Sequence, residues 1–319
     1  MENEVNDFTK INAARRRKKI LNNIKRYWLL YFIALPGLLW YIIFQYLPMA
    51  GLIIVFNKYN IYKGLSGFFT SPWVGLKNFK DFLSSSMYWT AFKNNVIIAL
   101  MTFSLTYPLE IILALLLNEI RFLKFKKFAQ SVSYMPYFIS SMVVVSIITI
   151  LLDTKGPFNS LITALGGQPV IFLMEPRFFR WIIVISDVWQ YVGWGSILFI
   201  AALAGIDQEQ YEAATVDGAS RLRRAWHISL PGMFPIISIT LIMNVPSLLG
   251  ASFEKILLLM NPNTQAVGDV LSTYTYRVGL VQQGYSYGAA TGFFTSALSV
   301  ILLLAANHTA KKLGQMGIW

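Results

Sequence analysis

The amino-acid sequence predicts an all-α membrane protein that crosses the bilayer six times. Of its 319 residues, 55% are hydrophobic and only 13% are charged, whereas soluble domains contain about 25% charged residues. A membrane-spanning helix needs about 20 mainly apolar residues, and the sequence contains six such stretches. The alternating hydrophobicity of a membrane barrel is absent from the sequence, so each span is predicted to be a helix that satisfies its own backbone hydrogen bonds.

The six predicted spans leave little sequence for a soluble domain. We divide the chain into a basic N-terminal arm (1–27), a six-helix transmembrane domain (28–308) and a short tail (309–319). The arm is too long and too polar for the start of a typical signal peptide, so the first span is predicted to be an uncleaved anchor. The spans cover residues 28–47, with an apolar run that continues to residue 56, then 96–117, 131–152, 181–203, 234–250 and 287–307.

Two longer connections, 57–95 and 251–286, are predicted to be loops on the outer side of the membrane. Glycine, proline and asparagine residues mark turns in both of them. Their aromatic residues indicate contact with the membrane face or with a partner.

The basic residues are concentrated at one end of the predicted bundle. Most of the 27 lysines and arginines fall on the side that holds both termini, including the run RRRKK at 15–19. The positive-inside rule therefore places both termini in the cytoplasm. Topology and contact with anionic membrane lipid account for the net charge of +12, so nucleic acid is not expected as a partner. The other basic residues on this side are Arg121, Lys124, Lys126, Lys127, Arg221, Arg223, Arg224, Lys311 and Lys312.

A polar stretch at 206–231, called the hairpin below, separates the fourth and fifth spans. Asp207 and Gln210 have the spacing of a capping box, which predicts a helix over 208–217. Gly218 follows at the position where a left-handed helix cap is expected.

The second half of the hairpin is predicted to be another short helix, over 220–227, that ends before Pro231. This proline can open the next span. Leu222 and Trp226 are four residues apart and share a face of the second helix. Short helices displayed in this way are typical of segments that insert into a groove of a partner protein.

The hairpin resembles the EAA signature of inner-membrane subunits of binding-protein-dependent ABC importers. Its matching positions have the family's spacing and are Glu212-Ala213-Ala214, Asp217, Gly218, Ile228-Ser229-Leu230-Pro231 and Pro235. Stretches elsewhere, such as SPWVGLKNFKDF and FEKILLLMNPNTQ, are similar to the maltose-type carbohydrate permeases, in the branch that includes importers of complex oligosaccharides. The resemblance covers nearly the whole chain after the N-terminal arm.

The resemblance implies the fold of a type I ABC importer permease, with the hairpin as a coupling helix that docks into a cleft of a cytoplasmic ATPase. It also implies that Glu212 pairs with a basic residue of the ATPase and that Gly218 allows the turn. The implied ATPase-coupling residues are Glu212, Ala213, Ala214, Asp217, Gly218, Ile228, Leu230 and Pro231.

The same resemblance implies a location in a bacterial cytoplasmic membrane and further subunits. The family pairs two related permeases, commonly as a heterodimer, with two ATPases that bind ATP and Mg. An extracytoplasmic sugar-binding protein, either a lipoprotein or a periplasmic protein, delivers the substrate. The sequence itself contains no GxxxxGK[ST] phosphate-binding loop. The chain is therefore expected to be a non-catalytic subunit without a cofactor of its own.

Polar residues inside the spans are candidates for the transport pathway because they are costly in a bilayer. Asp187, Gln190 and Trp194 share one face of the fourth span, where the carboxylate and amide can bind sugar hydroxyls and the indole can cover a sugar ring. A polar cluster between helices explains the same pattern, so both interpretations stay open. The further candidates are Glu110, Asn244, Ser140 and Ser141.

Two other patterns have structural interpretations. Gly288 and Gly292 form a small-xxx-small pair in the sixth span, which is typical of close helix packing. His227 and His308 lie far apart and the chain contains no cysteine, so neither a metal site nor a disulfide is expected.

The leading hypothesis is that the chain forms half of the translocation pathway of an ATP-driven oligosaccharide importer. ATP-driven closure of the two ATPases would move the paired permeases from an inward-facing to an outward-facing state. The alternatives are a secondary transporter driven by an ion gradient, a sensory membrane protein, and an importer of another solute such as glycerol phosphate. A secondary transporter predicts inverted repeats, which the sequence does not show.

Overall fold

Helices make up almost all of the regular structure in the computed structural model, which describes Asn23, residues 25–314 and residues 317–318. The basic run at 15–19 lies outside these residues. Within the described part, six helical runs are long and apolar enough to cross a membrane, which confirms the predicted all-α architecture. These runs are Trp28–Phe56, Ser86–Asn118, Ser141–Ala164, Pro176–Ala204, Arg221–Leu259 and Tyr285–Lys312.

The chain divides into two compact units, Met1–Trp73 and Val74–Trp319. In the described part of the first unit, the first span begins as α1 (Trp28–Tyr41) and continues as a helix to Phe56. Phe56 stacks on Trp73 with 5.4 Å between the ring centroids, which closes the turn after the span. The other helical segments of this unit are Ile42–Tyr46, Leu47–Met49, Ala50–Phe56, Ile61–Ser66 and Gly67–Thr70.

The described part of the second unit contains the other five spans and the hairpin. Its α-helices are α2 (Lys77–Leu83), α3 (Ser86–Asn118), α4 (Leu123–Tyr134), α5 (Ser141–Leu152), α6 (Pro157–Ala164), α7 (Pro176–Ala204), α8 (Gln208–Val216), α9 (Arg221–Arg224), α10 (Leu230–Asn244), α11 (Phe253–Leu259), α12 (Gln265–Gly268), α13 (Leu271–Tyr276) and α14 (Tyr285–Lys312). Turns of 3₁₀ helix lie at Met135–Phe138, Phe172–Met174 and Pro246–Leu249, and π-helical turns at Ala225–Ser229 and Arg277–Val281.

The helices α3 and α7 form the centre of the second unit. Toward the hairpin, Tyr107 of α3 and Phe199 of α7 pack with Met233 of α10. Toward the opposite end, Ile98 and Ile183 occupy a second apolar cluster together with side chains of α11. These two clusters fix the positions of the polar residues that lie between them on the same helices.

The second span starts at Ser86, well before its predicted start at residue 96. Two adjacent amides, Asn94 and Asn95, interrupt the apolar run in the sequence, but both are buried. Asn94 donates to the Ala266 carbonyl at 2.9 Å and Asn95 donates to the Leu248 carbonyl at 2.8 Å. Because protein groups accept from both amides, the helix continues through them, although Oδ1 of Asn95 is buried without a partner among the described residues. The predicted outer loop 57–95 is therefore wrong in its second half.

The third predicted span, 131–152, is broken. A 3₁₀ turn that contains Pro136 follows α4, and α5 begins only at Ser141. Ile139 between them has an extended backbone, and its carbonyl accepts a hydrogen bond from Gln190 of α7 at 2.8 Å. A proline and a side chain that satisfies the freed carbonyl together allow a helix to break at membrane depth.

Two other predicted boundaries are wrong. The predicted loop 251–286 folds into α11, α12, α13 and a π-helical turn, and Lys255 within it is 1% exposed. The predicted stop before Pro231 is absent, because α9 continues through the π-helical turn Ala225–Ser229 into α10. A π-helical turn changes the hydrogen-bond register and lets a helix continue at a proline.

The predicted glycine pair of the sixth span is confirmed at only one of its two positions. Gly288 lies against Gly279 of the preceding π-helical turn, where a Cβ atom at 288 would be 2.5 Å from the Cα atom of Gly279. Among the residues that the structure describes, none has an atom within 4 Å of a Cβ atom at Gly292. The close packing therefore involves Gly288 alone.

Candidate functional site

The hairpin begins with a capped helix, α8. Asp207 accepts a hydrogen bond from the backbone amide of Glu209 at 3.0 Å, instead of from the amide of Gln210 that the predicted capping box requires. The cap still fixes the start of α8 at Gln208, as predicted.

Gly218 turns the chain after α8 and has a φ of +74°, which confirms the predicted left-handed cap. Its amide donates to the Thr215 carbonyl at 3.1 Å, and the Ala219 amide donates to the Ala214 carbonyl at 2.9 Å. This pair of bonds is the Schellman motif, which satisfies the last carbonyl groups of a helix. Glycine adopts this conformation without the strain that a side chain would introduce.

Most residues of the expected ATPase-coupling set lie at the surface. Glu212 forms no ion pair within the part of the chain that the structure describes. Leu222 and Trp226 are 70% and 62% exposed, so the hairpin presents large apolar side chains as well. An exposed carboxylate without an ion-pair partner in its own chain suits a basic group of a protein partner. In the coupling set, Glu212, Ala213, Asp217, Gly218 and Pro231 are exposed, and Ala214, Ile228 and Leu230 are partly buried.

Two hydrogen bonds join the two arms of the hairpin. The hydroxyls of Tyr211 and Ser229 are 2.9 Å apart, and Arg224 donates to Oγ1 of Thr215 at 2.7 Å. Ser229 is buried at the start of the fifth span. Movement of α8 would therefore carry the start of the fifth span with it.

A cavity of about 370 Å³, called the polar cavity below, lies between α3, α7 and the end of α10. Thr102, Thr106 and Glu110 line it from α3, where a spacing of four residues places them on one face. The cavity wall also includes Asp187, Tyr191, Asn244 and Ser252. The polar cavity thus combines hydroxyl, carboxylate and amide groups with an aromatic ring.

Two hydroxyls in this wall were not singled out from the sequence. The Oγ1 atoms of Thr102 and Thr106 are buried and have no hydrogen-bond partner among the described residues. Buried hydroxyls without a partner are uncommon in proteins, so these two are candidates for binding a ligand in the polar cavity. The available signal was the spacing of four residues from Thr102 to Thr106 and from Thr106 to Glu110. Gly195 of α7 faces Glu110 closely, since a Cβ atom there would overlap the carboxyl group.

Asp187 forms a buried ion pair that the sequence did not reveal. Its Oδ1 atom is 2.6 Å from Nζ of Lys255, and its Oδ2 atom accepts a hydrogen bond from Ser252 at 2.6 Å. The Lys255 ammonium also lies 4.9 Å from the centre of the Tyr191 ring. The positive charge of Lys255 offsets the negative charge of Asp187, so this pair contributes no net charge to the polar cavity.

The predicted face of α7 divides between two environments. Asp187 lines the polar cavity, whereas Gln190 bonds to the broken third span. Trp194 stacks on Tyr137 of that break, with 4.3 Å between ring centroids and 5° between ring planes, and is 41% exposed. The structure therefore places a hydrogen bond between helices at Gln190, whose Oε1 atom is buried without a partner among the described residues. It places a partly exposed aromatic pair at Trp194.

The other predicted residues also have defined positions. Asn244 ends α10 beside the polar cavity, as expected for a helix that stops before Pro246, and its amide donates to the Thr240 carbonyl at 2.9 Å. Ser140 caps α5 by accepting from the Val143 amide at 3.4 Å, and Ser141 follows it. Neither serine lines the polar cavity.

The described residues contain no group of three or more histidine, cysteine, aspartate or glutamate side chains that is placed to hold a metal ion.

Comparison with known proteins identifies a family. The family model described as "Binding-protein-dependent transport system inner membrane component" matches residues 110–315. Protein LplB of Bacillus subtilis is 43% identical over 298 residues, which cover 93% of this chain and 92% of that protein. The polygalacturonan/rhamnogalacturonan transport system permease protein YteP of the same organism is 38% identical over 305 residues, which cover 95% and 94% of the two chains.

Solved structures agree with the sequence comparison. A chain of a bacterial ABC transporter involved in the import of the acidic polysaccharide alginate superposes with a TM-score of 0.85 at 34% identity, covering 92% of this chain and 99% of that one. A chain of a bacterial alginate ABC transporter in complex with an alginate pentasaccharide-bound periplasmic protein gives the same TM-score at 33% identity, with coverages of 93% and 99%.

Proposed function

Because the chain belongs to the family of inner-membrane components of binding-protein-dependent transport systems, we propose that it is a permease subunit of an ATP-driven oligosaccharide importer. Two similar proteins carry names or descriptions that refer to polysaccharide import. An ion-gradient-driven transporter and a sensory protein are not favoured by this family. The substrate is an oligosaccharide delivered by an extracytoplasmic binding protein, and the chain supplies half of its pathway.

The exposed hairpin is the observation that supports energy coupling. It presents Glu212 without an ion-pair partner among the described residues, and its turn depends on the left-handed conformation of Gly218. Its hydrogen bonds to the base of the fifth span give a direct connection from a docked ATPase to a membrane helix. In this proposal, ATP and Mg bind to two separate ATPase subunits, and the hairpin end of the bundle faces the cytoplasm.

The polar cavity supports a role in carbohydrate binding. Thr102 and Thr106 offer unpaired hydroxyls, and Glu110 and Asn244 offer oxygen acceptors and an amide. Such groups bind the hydroxyls of a sugar, and Tyr191 adds a flat apolar surface. A volume of about 370 Å³ lies near the lower limit of known small-molecule sites. An oligosaccharide therefore needs the additional wall that a second permease would supply.

The charge of the cavity bears on the kind of sugar. Asp187 alone would repel an acidic sugar, but Lys255 lies 2.6 Å from it and offsets its charge. Because the pair carries no net charge, it is compatible with both neutral and acidic oligosaccharides as substrates. Glu110 is the carboxylate of the cavity that has no ion-pair partner among the described residues.

Co-purification from detergent-solubilised native membrane tests the proposal. The wild-type chain is expected to bring down an ATPase and a second permease, and Glu212→Lys is expected to lose the ATPase and keep the permease. Glu209→Lys is the matched control, because Glu209 is exposed in the same helix and lies outside the coupling set. Recovery of this chain alone from all three samples, while a known ABC complex survives the same detergent, would contradict the proposal.

A further inference from the structure

A groove runs along the hairpin end of the second unit, on the opposite side of α3 from the polar cavity. Its volume is about 530 Å³, and its walls are formed by α3 from Pro108 to Glu119 and by the helical run from Arg221 to Leu230. Ile112 in the groove follows Glu110 of the cavity by two residues, which turns it by about 200° around the helix. The groove is therefore separate from the polar cavity.

The apolar wall of the groove has the length of one membrane leaflet. Between Pro108 and Glu119, α3 rises by about 16 Å. The hydrocarbon core of a bilayer is about 30 Å thick, so one leaflet is about half of that. Ile112 and Leu116 in this wall are 48% and 62% exposed, so the described part of the chain leaves the groove open. An acyl chain of one leaflet matches its length and its chemistry.

The mouth of the groove carries a cation that is available to a ligand. Glu119 lies 3.9 Å from Nε of Arg221, and the Arg221 side chain is 54% exposed. This separation exceeds hydrogen-bond distance, so the guanidinium keeps its donors for another acceptor. A phosphate matches the planar fork of arginine. Trp226 lines the groove nearby, and tryptophan is enriched where acyl chains meet headgroups.

We propose that this groove binds one anionic phospholipid, with an acyl chain along α3 and the headgroup phosphate at Arg221. An anionic lipid is favoured over a zwitterionic one because basic residues concentrate at this end of the unit. Besides Arg221, they are Arg121, Lys124, Lys126, Lys127, Arg223 and Arg224. Arg221 begins the helix that continues from the hairpin into the fifth span, so the bound lipid rests against the second arm of the hairpin.

Native mass spectrometry of the purified full chain tests the site, with phosphatidylglycerol or phosphatidylcholine added in increasing amounts. Arg221→Gln is expected to weaken phosphatidylglycerol binding about tenfold, as for the loss of one charged hydrogen bond. Its binding of phosphatidylcholine should fall by a smaller factor, because the choline cation offsets the charge of the phosphate that Arg221 would contact. Arg223→Gln is the matched control, since it removes the same charge from the same turn but from a residue outside the groove. It should weaken phosphatidylglycerol binding far less than Arg221→Gln does.

A second variant tests the acyl-chain wall. Ala225→Trp fills the groove with a large side chain and is expected to weaken the binding of both lipids about tenfold. Thermal unfolding in detergent reports whether this variant is folded. If it is not folded, the two arginine variants decide the question. Equal phosphatidylglycerol binding by the wild type and Arg221→Gln overturns the proposal. An equal loss in Arg221→Gln and Arg223→Gln also overturns it, because it shows only a general attraction of the basic end for anionic lipid.

Discussion

Lys255 and Asp187 form an ion pair inside the second unit, with 2.6 Å between Nζ and Oδ1 and with side chains that are 1% and 4% exposed. The pair connects α11 to α7 beside the polar cavity. The Ser252 hydroxyl donates a hydrogen bond to the second oxygen of the Asp187 carboxylate. Protein groups thus contact both charges, and both side chains are almost fully buried.

Removing one partner of this pair should be strongly destabilising. Lys255→Met leaves the Asp187 carboxylate buried without its cation, and we expect a loss of about 3–5 kcal/mol in the free energy of unfolding. Thermal unfolding of the solubilised chain measures this loss. The double variant Lys255→Met with Asp187→Leu should recover much of it, because no isolated charge is left. A single variant as stable as the wild type would show that the pair contributes little.

The left-handed turn of the hairpin is open to a separate test. No atom of the described residues lies within 4 Å of a Cβ atom at Gly218, so within that part of the chain a substitution acts through backbone strain and not through a clash. Gly218→Val should cost about 1–2 kcal/mol in the turn and lower ATP-driven uptake by the reconstituted transporter. Gly218→Asn should retain most uptake, because asparagine tolerates this conformation. Equal uptake by the valine variant and the wild type would show that coupling does not need the turn.

The number and approximate positions of the spans could be predicted because hydrophobicity is a local property of the sequence. The predicted span boundaries are wrong where a polar group forms its hydrogen bond with a segment that is distant in the sequence. From the sequence alone, Asn94 is interpreted as a loop residue, because the carbonyl that accepts its hydrogen bond, that of Ala266, is 172 positions away. The break after α4 has a local signal in Pro136, but its second cause is the hydrogen bond from Gln190 to Ile139. No local pattern contains that information.

Only part of the site could be predicted from the sequence, because the remaining features depend on contacts that no local pattern shows. Asp187 stands out as a charge inside a span, whereas its partner Lys255, 68 positions away, lies in a stretch that was interpreted as a loop. Thr102 and Thr106 were overlooked because a hydroxyl in a membrane helix usually bonds to a carbonyl of its own helix, as Thr149 does to Val145. Only the three-dimensional structure shows that these two hydroxyls lack such a bond.

The two glycines of the sixth span should respond differently to alanine. Gly288→Ala places a methyl group against the backbone of Gly279, and overpacking of this kind costs about 1–3 kcal/mol. Gly292→Ala is the matched control, one turn further along the same helix with open space around it. It should be neutral or slightly stabilising, because alanine favours a helix over glycine. Thermal unfolding of the two variants distinguishes them, and equal midpoints would contradict the packing at Gly288.

Valine substitutions can separate a ligand-binding hydroxyl from a structural one. Thr240 donates to the Ile236 carbonyl at 2.7 Å, and its Oγ1 atom lies 3.0 Å from the Tyr107 hydroxyl. Thr240→Val leaves the Tyr107 hydroxyl with one partner fewer, so it should lower stability by about 1 kcal/mol. Thr106→Val removes a hydroxyl that has no partner among the described residues, and its stability should equal or slightly exceed that of the wild type.

Thr106→Val is expected to change transport and not stability. If Thr106 binds a sugar hydroxyl, its loss removes about 1 kcal/mol of binding, and the substrate concentration for half-maximal uptake should rise about fivefold. Uptake by proteoliposomes that contain the complete transporter measures this change, and the retained ATPase activity shows that assembly is intact. Unchanged uptake together with raised stability would mean that the hydroxyl is a packing defect and that the sugar follows another face of α3.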